Sequence, residues 1–425
     1  MVAGIIIGAS IFVQPSEISR LVPSAGGMLL VWLVSGVLTF IGALVCAELA
    51  SAFPRTGGVY VFLKETYSPA VGFLWGWAMF WMMHSGIVAA IAVVVARYVG
   101  YFVALSDAGV KIVAIAAIAI LSAINYIGVR QGSGVQTFFT VAKVAAIAIM
   151  LLMVALFAPP RPASAEATSA VSPREFMLAI IAGLFAFGGW HMVTYAAGET
   201  KEPERTIPRA LMIGVFVVTL SYLGLNAAYV HVLPIDRVIA SQRIAADVAT
   251  VLVGRRGAAA VSMLVIVSAL GALGGVILAG PRVYFAMAND GLIFRSLGAV
   301  HPRFQTPHRS IVLQAVWSSV LVATATYRDL FTRVVYTEWI FFGLMAAGLF
   351  VLRRRSNYSP LFRTWGYPIV PIVFIAATVI IVANQIVAEP ARSATGLLLV
   401  LAGLPVYMLW ARRGIAEGAA ADGSH

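Results

Sequence analysis

Apolar residues along this chain gather into long runs separated by short polar stretches, and twelve such runs can be counted. They cover approximately 2–14, 27–52, 70–105, 110–128, 135–158, 176–198, 207–233, 258–288, 310–327, 334–352, 367–388 and 394–411. Crossing about 30 Å of hydrocarbon as a helix takes roughly 20 residues, and most of the runs reach that length. A backbone in lipid has to satisfy its own polar groups, so each run predicts a helix. The first run is short for a span. Either the start codon is assigned late or the sequence is a fragment; with a late start, half of the first helix lies outside this chain.

Composition agrees with the pattern. Hydrophobic residues make up 61% of the 425 and charged residues 11%, against roughly a quarter charged in a soluble domain. The net charge of +12 does not point to nucleic acid, because the Lys and Arg residues sit in short loops rather than on one basic face. Cys46 is the single cysteine and lies inside an apolar run, so an internal disulfide is excluded. The opening apolar stretch has no basic region before it, and no cleavable signal peptide is expected.

Loop charge sets the orientation. With a cytoplasmic N-terminus, the loops on that side hold 16 basic residues, from Arg55 and Lys64 through Arg353, Arg354 and Arg355 to Arg412 and Arg413. The opposite side holds 12, of which Arg237, Arg243, Arg255 and Arg256 fall in a long loop after the seventh run. Long loops count less in this rule, so the bias favours cytoplasmic termini. The stretch 159–175 reads as an external linker and 412–425 as a cytoplasmic tail.

Two runs are interrupted by small residues. The first contains Gly8-Ala9-Ser10, and the sixth contains Gly188-Gly189 within Phe185-Ala186-Phe187-Gly188-Gly189-Trp190. They lie five runs apart, and glycine-interrupted segments at matching places in two halves point to a transporter binding site. An unwound stretch frees amides that can hold a carboxylate and carbonyls that can accept from an ammonium. An α-amino acid carries both groups. The plainer alternative is that the glycines let helices approach closely, which is the better reading for Gly271 and Gly275 in the eighth run.

Several blocks resemble one family, the amino acid–polyamine–organocation superfamily, over essentially the whole chain. They are Gly4-Ile-Ile-Ile-Gly8-Ala-Ser10-Ile-Phe12, Glu48-Leu-Ala-Ser-Ala-Phe53-Pro54-Arg55-Thr-Gly57-Gly58, and Gly183 to Trp190 running on to Gly198-Glu199-Thr-Lys201-Glu-Pro203. Arg282-Val-Tyr284 through Asn289-Asp290-Gly291 and Arg363-Thr-Trp365-Gly366-Tyr367-Pro368 complete the set. Within the superfamily the chain looks closest to the L-type amino acid transporters and their bacterial relatives.

That resemblance implies an all-α polytopic fold of the LeuT type. Two inverted five-helix repeats (1–158 and 176–352) would be followed by two further helices (353–411). It also implies that the substrate carboxylate sits on the amides of Gly8, Ala9 and Ser10, and the amine on carbonyls near Ile6 and Phe185. Phe185 resembles an aromatic gate, with Phe187, Gly188, Gly189 and Trp190 shaping the pocket. The chain departs from the family in two places. The first break reads Gly-Ala-Ser where relatives usually have Gly-Ser-Gly, and His191 stands where L-type relatives usually have Asn. An imidazole there is either a substrate-facing group or an internally satisfied histidine.

Lys143 stands in an otherwise apolar stretch of the fifth run. A lysine in hydrocarbon costs about 2.5–3.5 kcal/mol on insertion scales, which makes it a functional candidate, with snorkelling to an interface as the alternative. In the resembling family a lysine here takes the place of a second sodium ion, and the stretch Gly271–Ala279 offers no hydroxyl for a cation. Sodium-independent transport of small or neutral L-amino acids is therefore expected, by exchange or with proton coupling. Tyr222 and Asn226 are expected to support the first break; His84 and Ser85 read as bonding within the bundle, and Glu338 either faces a pathway or, as the better reading, is structural.

Membrane enzymes need clustered ligands or acid–base pairs, and ATP-driven pumps a phosphate-binding loop; neither pattern occurs. A nutrient sensor of the same fold stays open. No metal or cofactor is expected. Animal L-type carriers join a heavy subunit through a cysteine after the third helix, and Leu105–Gly109 has none, so a monomer or loose homodimer in a bacterial inner membrane is anticipated.

Overall fold

The computed structural model describes residues 2–128, 133–158 and 171–410. Arg130, the linker up to residue 170 and the tail 412–425 lie outside them. Among the described residues the regular structure is helical throughout. The elements are α1 (Val2–Ile6), α2 (Gln14–Leu21), α3 (Ala25–Ala52), α4 (Val59–Thr66), α5 (Pro69–Ala78), α6 (His84–Val99), α7 (Asp107–Ile127) and α8 (Ser133–Phe157). The second half holds α9 (Pro173–Ala186), α10 (Pro203–Val232), α11 (Ile235–Ala240), α12 (Ile244–Asn289), α13 (His308–Thr324), α14 (Tyr327–Leu352), α15 (Ile369–Ala388) and α16 (Pro390–Leu401). Nine helices among the described residues are long and apolar enough to cross a membrane. The chain is an integral membrane protein.

Four boundaries differ from the hydropathy reading, each for a physical reason. The first segment does not stop near residue 14: after the break it continues as α2 to Leu21. That half is polar in sequence, yet Gln14, Ser16, Glu17 and Ser19 are buried, because protein rather than lipid surrounds them. The stretch 234–257, expected as a loop, is helical as α11 and the opening of α12, which kinks at Gly254 with φ +74°. Val238, Ile244 and Val248 are buried, and α11 packs against α2. Residue 327 opens α14 rather than ending the helix before it, since the Thr326 hydroxyl and the Asp329 carboxylate cap each other's amides. Such reciprocal caps fix helix starts. A similar box, Ser172 with Glu175, starts α9 at Pro173.

Packing explains the central position of α3. It runs along α10, where Gly36 faces Thr219 and has no room for a Cβ. Gly275 of α12 behaves differently: no described atom lies within 4 Å of where its Cβ would be, so close packing does not account for it. Two of the sequence blocks meet at one end of the bundle. The fully buried Glu48 of α3 receives Arg353 through Nε at 2.9 Å and Nη2 at 2.6 Å. The Thr364 amide donates to the same carboxylate at 2.7 Å and the Tyr358 hydroxyl at 3.3 Å. The Glu48 region thus anchors the connection between α14 and α15. Cys46, two residues before Glu48 in α3, is buried and unpaired.

Candidate functional site

The helix breaks face each other across a small cavity. At the first, Ile7 still donates to Ala3 (2.8 Å), then the Gly8 amide turns back to the Ile6 oxygen at 2.6 Å. Regular bonding resumes only with Phe12 to Ala9 (3.1 Å) and Val13 to Ser10 (3.0 Å). The amides of Ala9, Ser10 and Ile11 donate to no protein oxygen among the described residues. At the second break, Gly188 bonds back to Phe185 at 3.0 Å and Met192 to Gly189 at 3.0 Å, starting a tighter helix over Trp190–Glu199. Gly189 has φ +89°, a left-handed conformation that glycine adopts without penalty. Buried amides without partners are rare, and these groups converge where a ligand anion would be held.

One side chain ties the breaks together. The Tyr222 hydroxyl of α10 lies 2.9 Å from the Ile6 oxygen and 3.2 Å from the Ala186 oxygen, and its single proton serves one or the other. Asn226 donates to the Tyr222 carbonyl at 2.8 Å and acts within α10 rather than in the cavity. Lys143 of α8 reaches α1 and donates to the Gly4 oxygen at 3.2 Å. It therefore braces the first break from outside the cavity.

Of the residues singled out from sequence, Ile6, Gly8, Ser10, Phe185, Gly188 and Gly189 line the cavity. Ala9, Phe187, Trp190 and His191 stand behind it. Phe187 packs on Trp32 and Tyr222, with ring centroids 6.2 and 5.0 Å away. His191 sits in an aromatic cage of Trp75, Trp190, Tyr195 and Phe342, all within 5.8 Å between centroids. Among the described residues neither of its ring nitrogens has a hydrogen-bond partner. The Ile6 oxygen accepts from the Gly8 amide and competes with the Ala186 oxygen for the Tyr222 proton. The Phe185 oxygen accepts from the Gly188 amide at 3.0 Å and is also approached by the Phe187 amide.

Sequence reasoning passed over the apolar part of the wall and preferred a structural role for its acid. Ile5, Ile87, Ile91, Met192, Val276 and Val334 supply its apolar surface, and Glu338 of α14 its one carboxylate. The signal for Glu338 was present, a lone acid in an apolar run, but periodicity does not say which face it takes. The cavity, about 30 Å³, has room for the centres of a few waters at most. Phe185 closes it on one side by packing on Phe331 and Tyr327, at 5.7 and 6.4 Å between centroids. Toward the Arg353 end, Glu199 pairs with Arg282 at 2.8 and 3.0 Å, and Lys64 with Asp290 at 2.7 Å.

Comparison with known proteins places this geometry. The amino acid permease family model matches residues 1–410. The serine/threonine exchanger SteT of Bacillus subtilis is 32% identical over 96% of this chain and 94% of that protein. The b(0,+)-type amino acid transporter 1 of mouse is 28% identical over 97% and 88%. The human cystine/glutamate transporter is 26% identical over 96% and 83%. These are transporters, not enzymes, and the chain belongs to the amino acid permease family.

Proposed function

We propose that the protein exchanges small or neutral L-amino acids across a bacterial inner membrane, independently of sodium, with both termini in the cytoplasm. The observation that carries this reading is the pair of facing breaks with unpartnered amides on Ala9, Ser10 and Ile11. A substrate carboxylate sits on those amides, and the ammonium turns toward the second break. The two breaks lie in two inverted five-helix repeats, and α15 and α16 are the additional helices. The similarity to a serine/threonine exchanger supports small substrates and exchange. Since Ile6 and Tyr222 are already engaged with each other, they shape the first break rather than hold the amine.

Lys143 supports sodium independence, because its ammonium occupies the flank of α1 where a bound cation would otherwise brace the break. Uptake of radiolabelled L-serine into proteoliposomes, with and without internal L-serine and with and without sodium, tests the reading. Flux that needs internal substrate and ignores sodium is expected. Lys143→Ala lowers it at least about tenfold, the effect of losing a charged hydrogen bond of roughly 1.5–3 kcal/mol. A sodium requirement, with transport surviving Lys143→Ala, would reverse the assignment.

His191, one residue behind the cavity wall, tunes selectivity through its aromatic cage. His191→Asn is expected to shift the order of preference in a panel of neutral amino acids, or the pH profile of uptake. No change in either removes His191 from that role.

A further inference from the structure

Glu338 is the least accounted-for group in the bundle. It is 5% exposed, on α14, and lines the cavity between the two breaks. Among the described residues its carboxylate makes no hydrogen bond. The nearest charged or chargeable group is Nε2 of His191, at 4.0 Å. Tyr195 lies close to both, with Tyr284 of α12 and Cys46 of α3 near Tyr195. His84 of α6 is turned to the Val276 oxygen at 2.8 Å. No lysine or arginine is part of the cavity wall. A carboxylate enclosed by Ile87, Ile91, Val276 and Val334 with no cation beside it is unfavourable, because desolvation is uncompensated.

The remaining wall offers a substrate only backbone groups, and these are unequal. Amides are in surplus at the first break, whereas the two carbonyls expected for the ammonium, Ile6 and Phe185, already accept from the Gly8 and Gly188 amides. A zwitterion seated with its carboxylate on the Ala9–Ile11 amides thus presents an ammonium to a cavity whose unpaired acceptor is the Glu338 carboxylate.

We propose that Glu338 is the counter-ion of the substrate ammonium, and that its unpaired charge makes closure of the empty site costly. This rests on the transport reading given above. With substrate bound, the ammonium and Glu338 neutralise each other and the cavity can shut. Without it, closure would strand the carboxylate in an apolar space, so the empty carrier returns slowly. Exchange then follows from electrostatics: the site crosses between its open forms only when it holds a cation of its own fit.

Glu338→Gln in proteoliposomes tests this through a ratio, the uptake of labelled L-serine with internal L-serine over that without. In the wild type the ratio is expected at about tenfold or more. In E338Q it falls toward one, because the empty amide-bearing site now closes, and KM for L-serine rises. Binding to purified protein supplies a second readout, with L-serine compared against glycerate, the same molecule with hydroxyl in place of the amine. The wild type distinguishes the two strongly and E338Q does so weakly.

If E338Q fails to fold, Glu338→Asp replaces it, and a retained preference for L-serine with a reduced trans-stimulation supports the role. An E338Q protein that keeps both the ratio and the preference for the amine overturns the proposal. So does internal acidification that accompanies L-serine entry in the wild type and vanishes in E338Q, which would make Glu338 a proton carrier. So does selective loss of L-lysine transport, which would make it a side-chain receptor. Wild-type protein that binds L-serine through Glu338 but shows no flux would sink the transport reading while leaving the counter-ion intact.

Discussion

Arg353→Ala is expected to cost about 3–5 kcal/mol of stability, the penalty for leaving a buried carboxylate without its partner. Glu48 is fully buried and its two oxygens take the two arms of the Arg353 guanidinium. The same guanidinium lies over the Tyr367 ring at 3.8 Å, so one truncation removes an ion pair and a cation–π contact together. The loss spreads, because the Thr364 amide and Tyr358 hydroxyl depend on Glu48 holding its place. Thermal unfolding of the detergent-solubilised protein measures the effect. Adding Glu48→Gln to Arg353→Ala should recover a substantial part of it, since the stranded charge is then gone. An Arg353→Ala protein that melts with the wild type would mean that the network contributes nothing.

The second large effect falls on transport. Gly189→Val forces a β-branched residue into a left-handed conformation, at about 1–2 kcal/mol for the backbone alone. Its Cβ would also stand 3.0 Å from Cγ2 of Ile5, pushing α1 and the second break apart. Flux of labelled L-serine should therefore fall about tenfold or more, as a cost above 1.4 kcal/mol on the working conformation implies. Gly275→Ala is the matched control, because that position meets no described atom and lies outside the cavity. Equal flux through the Gly189→Val and wild-type proteins would show that the break tolerates a different backbone.

How far the sequence spoke depended on what surrounds each residue. Lipid-facing helices such as Ile369–Ala388 announced themselves because hydropathy measures contact with hydrocarbon. The polar half-helix Gln14–Leu21 did not, since its Gln14 and Ser19 are hidden by protein and leave no apolar run. The four arginines of 234–257 concealed helices whose buried sides are small and aliphatic. At the site, small residues marked both breaks because Gly8 and the Gly188-Gly189 pair fall at matching places in the two halves of the chain. The role of Tyr222 as a bridge between them needs three segments brought together, and no spacing along one helix contains that information. Glu338 is the sharpest case, its face on α14 fixed by packing against α6 and α9 rather than by its own helix.

The lone cysteine has a practical consequence. Cys46 is completely buried in α3, and no other residue of the chain carries a thiol. Maleimide or spin-label chemistry on the natural sequence therefore has almost no background. Single cysteines placed at exposed positions such as Phe102 and Leu361 become unique reporters without first stripping the protein of its own. Distances between such labels, recorded with and without L-serine, would follow opening and closing directly in an otherwise unmodified chain.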